Sequence, residues 1–210
     1  MTDKNLPKEY YLESDVVKLA KDLIGKVIHT NIEGEVTSAL ITETEAYAGV
    51  TDRASHAFGG RRTQRTETMY KEGGIAYVYF CYGMHYLFNI VTNVKDFPHA
   101  ILIRGIFPLN GSTTMLKRVN KNKIDKNLGN GPGKVTKLLG IIKTHNSISL
   151  MGDTVWLSTG NFNFDDSLII ADKRIGIDYA GDDALLPYRF YLKFNDVSKI
   201  IEEQKVFLFY

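Results

Sequence analysis

The stretch from Ile41 to Asn89 constrains the fold most, because it sets a carboxylate-bearing strand beside a tyrosine-rich hairpin. In an extended strand alternate side chains share a face, so Ile41, Glu43, Glu45 and Tyr47 are expected on one side and Leu40, Thr42, Thr44 and Ala46 on the other. Further along, Tyr77, Tyr79 and Cys81 share a face, a tight turn falls near Tyr82-Gly83, and Tyr86 and Phe88 return. Two such segments require a sheet with much of its pairing antiparallel. Carboxylate, histidine, stacking rings and arginines are also the parts needed to hold an unstacked base and hydrolyse its bond to sugar.

Around these segments the chain alternates helix and strand patterns. Val16, Leu19, Ala20, Leu23 and Ile24 have the spacing of a helix buried on one side, with Ser14 or Asp15 able to cap its start and Gly25 its end. Lys26–Thr30 and Glu35–Tyr47 read as strands joined by a turn at Glu33-Gly34. Residues 49–74 lack periodicity and read as a long surface loop with a short helix, a length usually tied to function or disorder. Strand is expected over His99–Pro108, partial helix over Gly111–Asn127, helix from Lys134 to Gly140, and short strands and turns from there to Phe194. The expected fold class is α+β: a single domain over residues 1–210, with a mostly antiparallel curved sheet, flanking helices and a protruding β-hairpin.

Composition narrows the partners. A net charge of +2 permits nucleic-acid binding without arguing for it, so the distribution of charge matters more. No apolar run reaches about 18 residues, which argues against a spanning helix and a membrane partner. The start Met1-Thr-Asp-Lys carries no secretory pattern, and the chain reads as soluble and intracellular. Cys81 is the single cysteine, excluding an intrachain disulfide and thiolate metal clusters. His29, His56, His85, His99 and His145 are scattered, so no metal and no cofactor are expected.

Each chemical feature has an ordinary reading beside the functional one. Glu43 and Glu45 could belong to a solvated or salt-bridged sheet face, or one of them could be a general base whose pKa is raised by burial beside a like charge. Strand position does not choose between them. Tyr82 at the hairpin tip could fold back over the sheet or act as a wedge between base pairs. Arg53, Arg61, Arg62 and Arg65 form one basic cluster, and Lys117 to Lys137 a second; together they fit phosphate contacts better than either does alone. Gly129-Asn-Gly-Pro-Gly-Lys134 is not a Walker A motif, since Val135 stands where Ser or Thr is needed, yet Pro132 suggests a helix N-terminus able to meet a phosphate.

Taken together these residues resemble the alkyladenine DNA glycosylase family, the mammalian-type 3-methyladenine DNA glycosylases. The resemblance rests on Glu43-Thr-Glu-Ala-Tyr47, Ala54-Ser-His56 with Gly59-Gly-Arg61, Tyr77-Val-Tyr79 with Tyr82-Gly-Met84, and Asn89. It continues through Leu102-Ile-Arg104-Gly, Gly131-Pro-Gly-Lys134, Arg174 to Gly181 and Pro187 to Tyr191. It implies Glu45, not Glu43, as the base that activates water, with Arg104 orienting that water. Tyr47, His56 and Tyr79 would wall a pocket for a flipped base, and Asn89 at its floor would discourage unmodified guanine. Tyr82 would fill the gap left in the duplex, with Gly83, Met84, Arg61, Gly131 and Lys134 also at the DNA. The partner implied is double-stranded DNA containing a damaged purine (3-methyladenine, hypoxanthine or etheno-adenine), acted on by a monomer. Asn130 replaces the usual serine of the glycine-rich loop, and Phe58 and His85 stand where the family varies in polarity. Three rivals remain: a damage-binding module without chemistry, a lyase using Lys134 as amine, and a hydrolase of free nucleosides.

Overall fold

The computed structural model describes residues 4–81, 83–162 and 164–204. Strands β1 (Val27–Ile32) and β2 (Glu35–Tyr47) form a hairpin whose turn residues Glu33 and Gly34 have φ of 58° and 81°. A two-residue turn of that kind needs both residues left-handed, which glycine supplies without strain. Strands β3 (Ile75–Cys81), β4 (His85–Thr92) and β5 (His99–Asn110) follow, then β6 (Val155–Ser158), β7 (Ile170–Asp172) and β8 (Arg189–Tyr191). All pairings among the described residues are antiparallel, in the order β3-β4-β5-β2-β1-β6, with β8 joined to both β2 and β7.

The long strand β2 anchors this arrangement. One edge pairs with β5 along most of its length. The other edge pairs with β1 through residues 35–40 and then with β8 through residues 43–45. The glutamates therefore sit in the middle of the sheet and not at an edge. Register shifts flank Glu43: one lies between Ile41 and Glu43, the other between Glu43 and Thr44. They interrupt the strict alternation expected from sequence, and Ile41 packs with Leu40 in the main core cluster while Glu43 pairs with arginines.

Among the described residues, four α-helices cover the sheet. In α1 (Val16–Asp22), Asp15 is the cap, its carboxylate accepting from the N–H groups of Val17 and Lys18. Capping by that residue satisfies two donors the helix itself leaves open. The helix buries Val16, Leu19 and Ala20, and Thr44 ties β2 to it by donating to the Ala20 carbonyl (2.8 Å). Next come α2 (Ser112–Arg118) and α3 (Pro132–Leu139), the latter with Pro132 in its first turn and left-handed Gly140 at its end. The last, α4 (Phe194–Glu203), was not expected from sequence, although Phe194, Val197 and Ile201 have helical spacing and the latter two are buried. The long loop of residues 49–74 contains three short 3-10 turns, and part of it is well buried: Ala57, Met69 and Tyr70 form a small cluster with Tyr77, Val91 and Ala100. No described helix is long and apolar enough to cross a membrane.

Candidate active site

One transverse row of the sheet builds the site. Tyr77 of β3 lies opposite Asn89 of β4, Asn89 opposite Leu102 of β5, Leu102 opposite Glu45 of β2, and Glu45 opposite Arg189 of β8. Directly opposed residues project from the same face, so the antiparallel register alone gathers side chains far apart in sequence. A cavity of about 320 Å³ opens over this row, bordered by Glu45, Tyr47, His56, Tyr79, Asn89 and Arg104.

Arg104 owes its position to irregularity. Glu43 pairs with Gly105 and Thr44 with Ile103, leaving Arg104 as the extra residue of a bulge, a device that re-aims a side chain. Its Nε donates to Glu43 Oε1 (3.1 Å) and lies 3.5 Å from Glu45 Oε1. Gly105 has a separate reason to be glycine: an added Cβ would fall 2.7 Å from Glu43 Cβ. Beyond β4, the glycine-rich loop takes the place of a strand alongside β5. Gly131 N–H donates to the Arg104 carbonyl (2.9 Å), and Ile106 N–H donates to Gly129 (3.0 Å).

Glu45 is fully buried and has two other close contacts. The Tyr47 hydroxyl donates to Oε2 (2.8 Å), and the backbone N–H of Ile175 donates to Oε1 (2.9 Å). Burial holds the Glu45 carboxyl above the usual glutamate range, with neighbouring Glu43 adding to the rise; Arg104 and the two hydrogen bonds oppose it without cancelling it. Tyr47 is raised in turn by burial and by the adjacent carboxylate, so its phenol stays protonated.

Three rings meet on the other side. His56 packs edge-on to Tyr79 with centroids 4.7 Å apart, and its Nδ1 lies 3.0 Å from the Tyr77 hydroxyl. Burial, aided by Arg65 and Arg61, pushes the imidazole down to about 4, so it is neutral near pH 7. Asn89 donates from Nδ2 to the Tyr77 carbonyl (3.1 Å), which fixes its amide at the cavity wall.

The sequence-derived DNA-facing residues surround this cavity unevenly. Tyr82 lies outside the described residues. Next to it Gly83 is exposed with φ of 66°, and Met84, 68% exposed, closes the hairpin turn through its N–H to Cys81 (3.2 Å). Arg61 is exposed on the 49–74 loop. Lys134, exposed on α3, donates to the Asn127 carbonyl (2.9 Å) and not into the cavity.

Several participants carried no assigned role from sequence. Arg174 is buried against Asp52, reaching both carboxylate oxygens, and also donates to the Ala46 carbonyl (2.8 Å); its guanidinium lies 4.9 Å from the Tyr47 ring centroid. Asp52 also accepts from the N–H groups of Ala48 and Ala54, which shapes the loop delivering His56. Arg65 stacks over Tyr79 at 5.0 Å, and Ile175 and Tyr179 border the cavity. Arg174, Ile175, Tyr179 and Arg189 fall within the two motifs of the last third of the chain, the only signal the sequence offered for them.

A family model described as methylpurine-DNA glycosylase matches residues 10–196. A protein from Chlamydia abortus named "Putative 3-methyladenine DNA glycosylase" is 48% identical over 188 residues, covering 89% of this chain and 97% of that protein. A protein of the same name from Chlamydia felis is 46% identical, covering 93% of this chain and 100% of its own length. Another from Clostridium perfringens is 42% identical, covering 92% and 98% respectively. A match that spans the sheet, the aromatic cavity and the Glu45–Arg104 contact places the chain in the methylpurine-DNA glycosylase family.

Proposed function

We propose that the protein is a monofunctional DNA glycosylase that excises an alkylated purine of the 3-methyladenine type from duplex DNA, leaving an abasic site for base excision repair. The observation that carries this reading is a buried carboxylate, Glu45, beside a guanidinium at one wall of a cavity whose other walls are aromatic.

A base within a duplex is out of reach and must leave the stack, at a cost of a few kcal/mol that is lowest for a damaged base. Stacking on Tyr47, His56 and Tyr79 returns roughly 1–3 kcal/mol per base. An alkylated purine carries positive charge, and the electron-rich tyrosine faces favour a cation. The neutral state of His56 avoids setting a second positive charge against that lesion. As the N-glycosidic bond breaks, its electron pair goes to the departing base and the sugar becomes oxocarbenium-like. Glu45 stabilises that charge and takes a proton from the attacking water, whose oxygen bonds to C1′. Arg104 and the Ile175 N–H keep the carboxylate oriented toward the cavity. Asn89, held by its bond to the Tyr77 carbonyl, stands where it discriminates against the exocyclic amine of guanine. Tyr82 with Gly83 and Met84 fills the vacated position in the duplex, while Arg61, Gly131 and Lys134 meet phosphates. Because the lesion is a good leaving group, no amine nucleophile is required, and strand cutting is not expected. The protein acts as a monomer.

The decisive experiment incubates the wild type and Glu45→Gln with alkylated duplex DNA and measures released 3-methyladenine. Release by the wild type and almost none by the variant is the expected result. Tight binding without release by either would mean a damage-binding module and would overturn the assignment.

A further inference from the structure

Arg189 does not border the base cavity, yet it holds a neighbour of each group that orients Glu45: Glu43 beside Arg104, and Lys173 ahead of Ile175. It leaves β8 at the position opposite Glu45. Its Nη1 donates to Glu43 Oε1 at 3.0 Å, the same oxygen that Arg104 Nε reaches at 3.1 Å. Its Nε donates to the Lys173 carbonyl (2.8 Å), two residues before the Ile175 N–H that meets Glu45. Its Nη2 holds Asp172 Oδ2 (2.6 Å), and the guanidinium lies 4.6 Å from the Tyr191 ring centroid. The result is an alternating chain, Asp172–Arg189–Glu43–Arg104–Glu45, with three carboxylates and two guanidiniums.

In that chain Arg104 is contested. Glu43 and Glu45 both draw on one guanidinium, and what Glu45 retains depends on how well Glu43 is neutralised from its other side. We propose that Arg189 is a positioning residue for excision: it saturates Glu43, so that Arg104 stays shared with Glu45, and it pins the 172–175 segment so that the Ile175 N–H remains aimed at the base. This rests on the reading of Glu45 as the general base. The charged and titratable groups around Glu45 are Glu43 and Tyr47 on its own strand, Arg104 from β5, and Arg174 from the segment after β7. His56 and Tyr79 stand across the cavity, and Arg189 acts through Glu43. Loss of Arg189 leaves Glu43 with Arg104 alone, draws that guanidinium away from Glu45 and favours the protonated, inactive carboxyl. A second cavity, about 430 Å³ and bordered by Glu43, Arg189, Lys126 and Phe194, gives a small cation access to the space an arginine would vacate.

The test measures single-turnover release of 3-methyladenine from alkylated duplex DNA across pH 5 to 9, with duplex affinity measured separately. Arg189→Ala should slow release roughly 10- to 100-fold, as a misplaced catalytic group does. Its duplex affinity should not change, and the acid limb of its rate profile should move toward neutral pH by about one unit. Millimolar guanidinium chloride should restore part of the rate to Arg189→Ala and none to Glu45→Gln, and Arg189→Lys should be intermediate. A wild-type rate and limb in Arg189→Ala would overturn the inference. So would a slower rate explained by weaker DNA binding, with an unmoved limb and no rescue. If Arg189→Ala does not fold, Arg189→Gln carries the same comparison. Full activity in Glu45→Gln would instead remove the general-base reading. An inactive Glu45→Gln beside Arg189 variants with a wild-type limb would remove only the role given to Arg189.

Discussion

Two arginines beside the same glutamate, Arg174 buried and Arg104 partly buried, teach opposite lessons. Arg174 meets one carboxylate, Asp52, through both oxygens, and the two side chains are 0% and 2% exposed. Arg104 meets two carboxylates through one Nε, at 3.1 and 3.5 Å. The first is a one-to-one pair whose Nη1 and Nη2 also donate to the Ala46 and Asp183 carbonyls, and its work is to fasten the 49–74 loop and the 172–185 segment to β2. In the second, one guanidinium serves two carboxylates and does not cancel the burial that holds the Glu45 carboxyl above its ordinary range. One-to-one pairing yields rigidity, whereas a buried carboxylate whose partner is shared can exchange a proton.

The largest expected effect sharpens that contrast on the catalytic side. Glu45→Gln should slow excision roughly 10²–10⁴-fold, the usual loss for a general base, measured under single turnover. On the structural side, Arg174→Met strands Asp52 as a buried lone charge and should cost about 3–5 kcal/mol in urea unfolding. A loss below about 1 kcal/mol would show that Asp52 finds water or protonates, and would break the comparison.

A third expectation concerns acid. The His56 pKa is about 4 when folded, against about 6.5 when unfolded, so between those values the unfolded chain binds a proton that the folded chain does not. The contribution of neutral His56 to stability is therefore complete above pH 6.5 and is lost as pH falls toward 4. Urea midpoints at pH 7 and pH 5 should differ less in His56→Gln than in the wild type; equal differences would contradict the burial argument.

Smaller effects follow from Glu45 itself. A carboxyl whose folded pKa is raised holds its proton more tightly when folded, so its contribution to stability fades as pH rises past its unfolded value. The neutral Glu45→Gln should accordingly be more stable than the wild type at pH 7, by roughly 0.5–2 kcal/mol, a common exchange of function for stability. A lower melting temperature would mean that Arg104 relies on Glu45 as much as on Glu43. Least of all, Tyr47→Phe removes one hydrogen bond of about 0.5–1.5 kcal/mol while keeping the ring. Excision should fall only several-fold, with the acid limb moved upward because a contact favouring the carboxylate is gone.

Much of the scaffold was legible in the residues because local rules decide it. Asp15 before an apolar 3.6-residue period, Glu33-Gly34 between two alternating runs, and Pro132 ahead of Val135 and Leu138 each determine an element by capping, turn geometry or periodicity. The glutamates, rings and Arg104 could be named because their types and spacing carry a family pattern. The sequence could not decide what depends on register. Arg104 reaches the glutamates because a bulge puts it out of step with its neighbours, and alternation counted along one strand does not reveal where its partner strand slips. Nor could spacing disclose that Arg189, 146 residues after Glu43, would share its oxygen with Arg104, or that Arg174 would lie beneath Tyr47. Sequence determined most of the elements and the chemical groups, since those follow from interactions over a few residues, while α4 escaped it. The tertiary structure decided which charges compete for which partners, because that balance is a sum over strands that meet only after the sheet has closed around β2.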